Sequence, residues 1–183
     1  SMPKNLSDRK RNKQLRELET TMNLDALLVE RLKLGEIGLK HIDTFDKLGK
    51  LCLGFHKFLL SKNPFESRKK TGYDAYRYHV RMYILALLRN FRCEKCEKIE
   101  LKRSLHFHHI NPETKRFRIS RIGRYNFIIG LKESLKCKYL CDECHYQEHL
   151  KMGDYYGYFE TIDRWRHPYI QNLLGSTDSG SLG

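Results

Sequence analysis

Apolar residues recur at helical spacing through the first half of the chain and change to strand-like alternation in the second. Over residues 14–34, Leu15, Leu18, Met22 and Leu27 form an uneven stripe, which predicts a helix ended by Gly35 and Gly38. Over 43–61, Phe45, Leu48, Leu51, Phe55, Phe58 and Leu59 keep mostly to spacings of three and four, with Gly49 and Gly54 inside the run. A basic linker follows at 63–72. A third helix starts near Tyr73, with Tyr76, Val80, Tyr83, Leu87 and Phe91 as its inner face and Arg77, Arg81 and Arg89 elsewhere on the wheel. Leu105 and Phe107 then alternate with His106 and His108, the period of a strand, and residues 138–140 predict a second one. Residues 141–151 read as a helix. The fold class expected is α+β, divided into a disordered basic N-terminus (1–13), a helical region and linker (14–72), a lead-in helix and core (73–151), an aromatic C-terminal segment (152–174) and a disordered tail (175–183).

Composition narrows the partners. The 183 residues carry 35 Lys and Arg against 22 Asp and Glu, a net charge of +13, which points to a polyanion such as nucleic acid or an acidic membrane surface. The apolar run from Met82 to Leu88 is too short to span a bilayer, and the first ten residues show no signal peptide. The expectation is an intracellular protein, cytoplasmic or nuclear, that is not secreted, has no membrane association and uses no small-molecule cofactor.

The cysteines are six, and in an unsecreted chain they read as metal ligands rather than disulfides. Two Cys-x-x-Cys pairs, Cys93/Cys96 and Cys141/Cys144, can close one tetrahedral structural Zn2+ site. Cys52 reads as buried, and Cys137 as the spare thiol. On the predicted last helix, His145 and His149 are four apart and share a face, while Cys144 lies about 100° around from His145. Thiolates and imidazoles therefore point to two metals. A mixed finger of Cys93, Cys96, His145 and His149 is the competing arrangement.

Two strands and a helix carrying Phe107-His108-His109 and Leu140-Cys141-Asp-Glu-Cys144-His145-Tyr-Gln-Glu-His149 resemble the HNH nucleases of the ββα-metal (His-Me finger) superfamily, over residues 93–149. The resemblance implies a small ββα-metal core stapled by the four-cysteine zinc site, with helical additions at both ends. It further implies His109 as the general base that activates water, and His108, His145 and His149 as ligands of a catalytic divalent ion. Three imidazoles favour a transition ion, so activity with Zn2+, Mn2+ or Ni2+ above Mg2+ is expected. The family's middle asparagine has no counterpart at its usual place. Lys136 stands near it, and Asn126 lies upstream.

Over residues 115–138, between the histidine doublet and the last knuckle, Lys115, Arg116, Arg118, Arg121, Arg124, Lys132, Lys136 and Lys138 face Glu133 alone. One-signed charge suits phosphate tracking, so Lys115, Arg116, Arg118, Arg121, Arg124, Lys132 and Lys136 are candidate contacts to DNA, duplex or branched. The basic residues of 68–92 form a candidate second wall. With this basic surface beside it, the resemblance implies a metal-dependent endonuclease, and a double-strand cut would need a homodimer or two successive nicks. The alternative is a non-catalytic zinc-binding protein that holds nucleic acid. A purely structural or interaction protein leaves the basic insertion unexplained.

Overall fold

The computed structural model describes residues 6–62, 70–99 and 105–153. They form a mostly helical α+β fold around one two-stranded antiparallel sheet. The helices are α1 (Leu6–Thr21), α2 (Leu24–Arg31), α3 (Phe45–Ser61), α4 (Lys70–Leu87), α5 (Phe127–Leu135) and α6 (Asp142–Met152). The strands are β1 (Leu105–His109) and β2 (Cys137–Cys141), paired from Leu105 opposite Cys141 to His109 opposite Cys137. Short 3-10 turns cover Leu34–Ile37, Pro112–Thr114 and Ile119–Arg124. No helix among the described residues is long and apolar enough to cross a membrane.

The expected first helix divides in two. Asn23 accepts a hydrogen bond from the Ala26 N–H at 3.1 Å, and as an N-cap it starts α2 instead of continuing α1. α1 also begins earlier, so residues 6–13 are helical where a disordered terminus is expected. The tail expected to be disordered and nearly all of the aromatic segment lie outside the described residues, as do 63–69 of the linker.

α3 and α4 hold the core beneath the sheet. On α3, Phe45, Leu48, Cys52 and His56 are buried, while Leu51 and Phe58 of the expected inner face are exposed. On α4 the buried positions are Val80, Ile84, Leu85 and Ala86, and Tyr83 is 48% exposed. The face turned inward is rotated from the one read off the aromatic residues, because aliphatic side chains fill the gap between α3 and α5. Arg81 and Arg89 are buried as well, which corrects their assignment to a nucleic-acid wall. Arg81 donates to the Ile122 and Tyr125 carbonyls, both at 2.8 Å, and Arg89 to the Ser134 carbonyl at 2.7 Å and the Cys137 carbonyl at 3.1 Å. Arg81 on α4 and Arg89 in the turn after it each reach backbone carbonyls that burial would otherwise leave unmatched.

Candidate metal centre and adjoining cleft

The four paired cysteines converge. After α4, Asn90 (φ 57°) and Phe91 (φ 51°) take left-handed backbone, and the Phe91 N–H returns to the Ala86 carbonyl at 3.0 Å. This turn delivers Cys93 under the sheet. A bridge between Arg92 and Ile99 and a left-handed Glu97 (φ 63°) close the first knuckle. Cys141 ends β2 and Cys144 sits on the first turn of α6, which forms the second. All four Sγ atoms lie within 4.8 Å of one another, and Cys96 and Cys141 are 3.7 Å apart. Zinc–sulfur bonds of about 2.3 Å in a tetrahedron put sulfurs about 3.8 Å apart. The cluster could therefore hold a structural metal ion.

Electrostatics within the cluster point the same way. Burial pushes the Cys93 thiol up, but backbone N–H donors of Cys96, Cys141 and Lys95 outweigh it and bring it down to about 7. Burial and the neighbouring sulfurs push Cys144 up, and burial raises Cys141. One thiolate is prepared, and Cys141 and Cys144 lose their protons only against a cation.

Strand alternation sorts the histidines. Residues 106 and 108 of β1 turn toward α6, whereas Phe107 packs on Tyr139 of β2, with ring centroids 4.8 Å apart, and His109 reaches α5. His108, His145 and His149 bring ligand nitrogens within 4.8 Å of one another, and the Nε2 atoms of His145 and His149 are 3.0 Å apart. The spacing suits two imidazoles on one ion at metal–nitrogen bonds of about 2.0–2.1 Å. Burial, then the neighbouring histidines, depress His145 to about 3, and burial and His149 lower His108, so both rings are held neutral as metal ligation requires. The thiols and imidazoles form two separate groups, and no mixed finger of Cys93, Cys96, His145 and His149 forms.

His109 stays outside the imidazole group, and its Nε2 enters a buried charge network. Its Nε2 meets Glu133 Oε1 at 2.8 Å, and Glu133 also accepts from the Arg116 N–H at 2.8 Å and from Lys136 Nζ at 2.7 Å. Burial pushes the Glu133 carboxyl up, but these donors hold it below its ordinary value. Lys136 reaches on to Glu19 of α1 at 3.0 Å, and Arg116 pairs with Glu19 at 3.2 Å. Lys136 is thus inside the molecule rather than on a DNA-facing surface, and the half-buried Arg116 is committed to Glu19. Lys132 lies over the Phe45 ring at 5.9 Å. Arg118, Arg121 and Arg124 are exposed, and Lys115 and Lys138 are half-buried. Asn126 caps α5 by accepting from the Ile128 N–H, so it supplies no counterpart to the middle asparagine that the resemblance implies.

Several contributors escape sequence reasoning. Glu133 stands out in the sequence only as the lone acid in a basic run, and nothing local says that it is buried against His109. His106, which the sequence marks only as a polar position of the strand, stacks on His145 at 4.8 Å and 12° and contacts the Asp142 carboxylate. Tyr78, Tyr83 and Phe91 join His106, His109, His145 and His149 around a cleft of about 710 Å³ that also includes Lys115 and Arg118. Comparison with protein families, with curated proteins and with solved structures found no match.

Proposed function

We propose that this protein is a metal-dependent endonuclease of the HNH type that hydrolyses DNA phosphodiester bonds. The observation that carries the reading is the convergence of His108, His145 and His149 beside an independent four-cysteine cluster, with His109 next in sequence and turned onto a carboxylate. A divalent ion on the three imidazoles would supply positive charge at the scissile phosphate and at the leaving oxygen. His109 would take a proton from the attacking water. With Nε2 engaged by Glu133, Nδ1 is the nitrogen left to act as base, and the carboxylate stabilises the imidazolium that forms. Glu133 thereby does the orienting work for which the family uses an asparagine. Exposed Arg118, Arg121 and Arg124 would position the phosphate backbone without reading sequence.

One observation favours the non-catalytic alternative: the His109–Glu133 contact is 2.8 Å long, deeply buried, and would stabilise the fold without any chemistry. Plasmid nicking separates the readings. The parent should nick with Mn2+ or Ni2+ better than with Mg2+. His109→Ala should lose nicking by about 10²–10⁴-fold while retaining its structural zinc. Metal analysis should find one tightly held ion and a second, exchangeable one. Undiminished nicking by His109→Ala would remove His109 as the base, and a single ion per chain would sink the two-site arrangement.

A further inference from the structure

The cleft beside the three histidines has a wall that a double helix does not require. Tyr83 is a large aromatic left 48% exposed near the C-terminal end of α4, and Phe91 packs against it with centroids 5.6 Å apart and the rings tilted by 48°. Tyr78 and His79 continue this wall. β1 pairs with β2 alone among the described strands, and Leu105, His106, Phe107 and His109 border the same cleft. Lys115 and Arg118 bring positive charge to it. At about 710 Å³ the space is within the range of about 300–1,000 Å³ in which proteins enclose small-molecule ligands.

Aromatic faces interleaved with cations suit one kind of polyanion. In a paired duplex the base faces are stacked on one another, and only groove edges and phosphates are offered. Unpaired nucleotides offer the base face as well, and stacking on a protein aromatic tolerates any sequence because every base has such a face. We propose that the cleft takes unpaired DNA nucleotides, as in a single strand or the open arm of a branched duplex, with a base stacked on Tyr83 and Phe91 and the phosphates met by Lys115 and Arg118. The inference rests on the nuclease reading above and names the substrate class of that same site. It brings an unpaired strand past His109, His145 and His149, which border the same space.

Binding is measured by fluorescence anisotropy on the full chain, with no divalent ion added. The probes are a short fluorescein-labelled single strand, a blunt duplex of the same sequence and a forked duplex with one unpaired arm. Single strand and fork should bind more tightly than the blunt duplex. Tyr83→Ala should weaken the single strand by about 5- to 100-fold and leave the blunt duplex unchanged, whereas Tyr83→Phe should behave as the parent. Arg118→Ala, a change at an exposed side chain, should reduce the salt dependence of single-strand binding by about one contact. Unchanged single-strand binding by Tyr83→Ala overturns the proposal, as does an equal loss on duplex. A separate cutting assay keeps the two readings apart. Tyr83-dependent strand binding without cutting of any DNA in Mn2+ or Ni2+ would end the nuclease reading and leave the cleft assignment standing. Equal cutting of blunt duplex and fork, by parent and Tyr83→Ala alike, would end the cleft assignment and leave the nuclease.

Discussion

Glu133→Leu is the most exposing perturbation of this molecule. The carboxylate is 1% exposed and serves three donors: His109 Nε2, the Arg116 N–H and Lys136 Nζ. Leucine keeps much of the volume and removes every acceptor. Lys136, 3% exposed, would retain Glu19 at 3.0 Å and the Thr114 carbonyl at 3.1 Å, so its charge is weakened in support rather than abandoned. Breaking a buried ion pair by removing one partner costs about 3–5 kcal/mol. The losses at His109 and Arg116 do not add fully to that, because all three donors share one group. At about 2–4 °C per kcal/mol for a chain of this size, the melting point should fall by about 6–20 °C. Urea denaturation read by circular dichroism gives the same quantity through the midpoint, with the slope unchanged. Lys136→Met added to Glu133→Leu should recover part of the loss, since an apolar pair replaces a buried charge left with weakened support. A cost below about 1 kcal/mol, or a double variant no more stable than Glu133→Leu alone, would refute the buried network as described.

Acid should unfold the metal-free protein in two overlapping stages. His145 is depressed from 6.5 to about 3, so the stability tied to its neutral form is complete above pH 6.5 and is lost as the pH falls toward about 3. Glu133, held below its ordinary 4.5, contributes stability above that pH that disappears as the pH falls through its lower folded value. Denaturant midpoints followed against pH would show both, and a flat profile from pH 7 to 5 would contradict the first. Gly130→Ala should destabilise by about 1–2 kcal/mol: a methyl group there would stand 2.5 Å from Ile122 Cγ1, and that overpacking outweighs the gain in helix propensity. Thermal melting measures the change, and a rise in melting temperature would show that the fully buried Ile122 moves aside freely.

Much of the site was legible because its signals are local. Cys-x-x-Cys spacing brings two sulfurs to one ion by chain geometry alone, and a four-residue interval on a helix puts His145 and His149 on one face. The alternation over β1 likewise sets His106 and His108 on one side of the strand, apart from Phe107. Arg81, Arg89, Glu133 and Lys136 were illegible for the opposite reason. A charged residue in a sequence reads as solvated, and its burial depends on partners 41 to 48 residues away for the two arginines and on Glu19, 117 residues away, for Lys136. The rotated face of α4 has the same origin: helical spacing predicts that one face is covered, and the choice between aliphatic and aromatic faces belongs to α3 and α5.

By itself, then, the sequence determined the two strands, the helix after them, the grouping of cysteines apart from histidines, and the excess of positive charge. These follow from backbone periods and ligand spacing, which act over a few residues. Only the tertiary structure decided that His109 turns to Glu133 rather than to the three imidazoles. It also decided that Lys136 is spent inside the molecule, and that Tyr83 is left open on the cleft wall. Those outcomes depend on which elements pack together, and packing brings together groups whose separation along the chain carries no pattern.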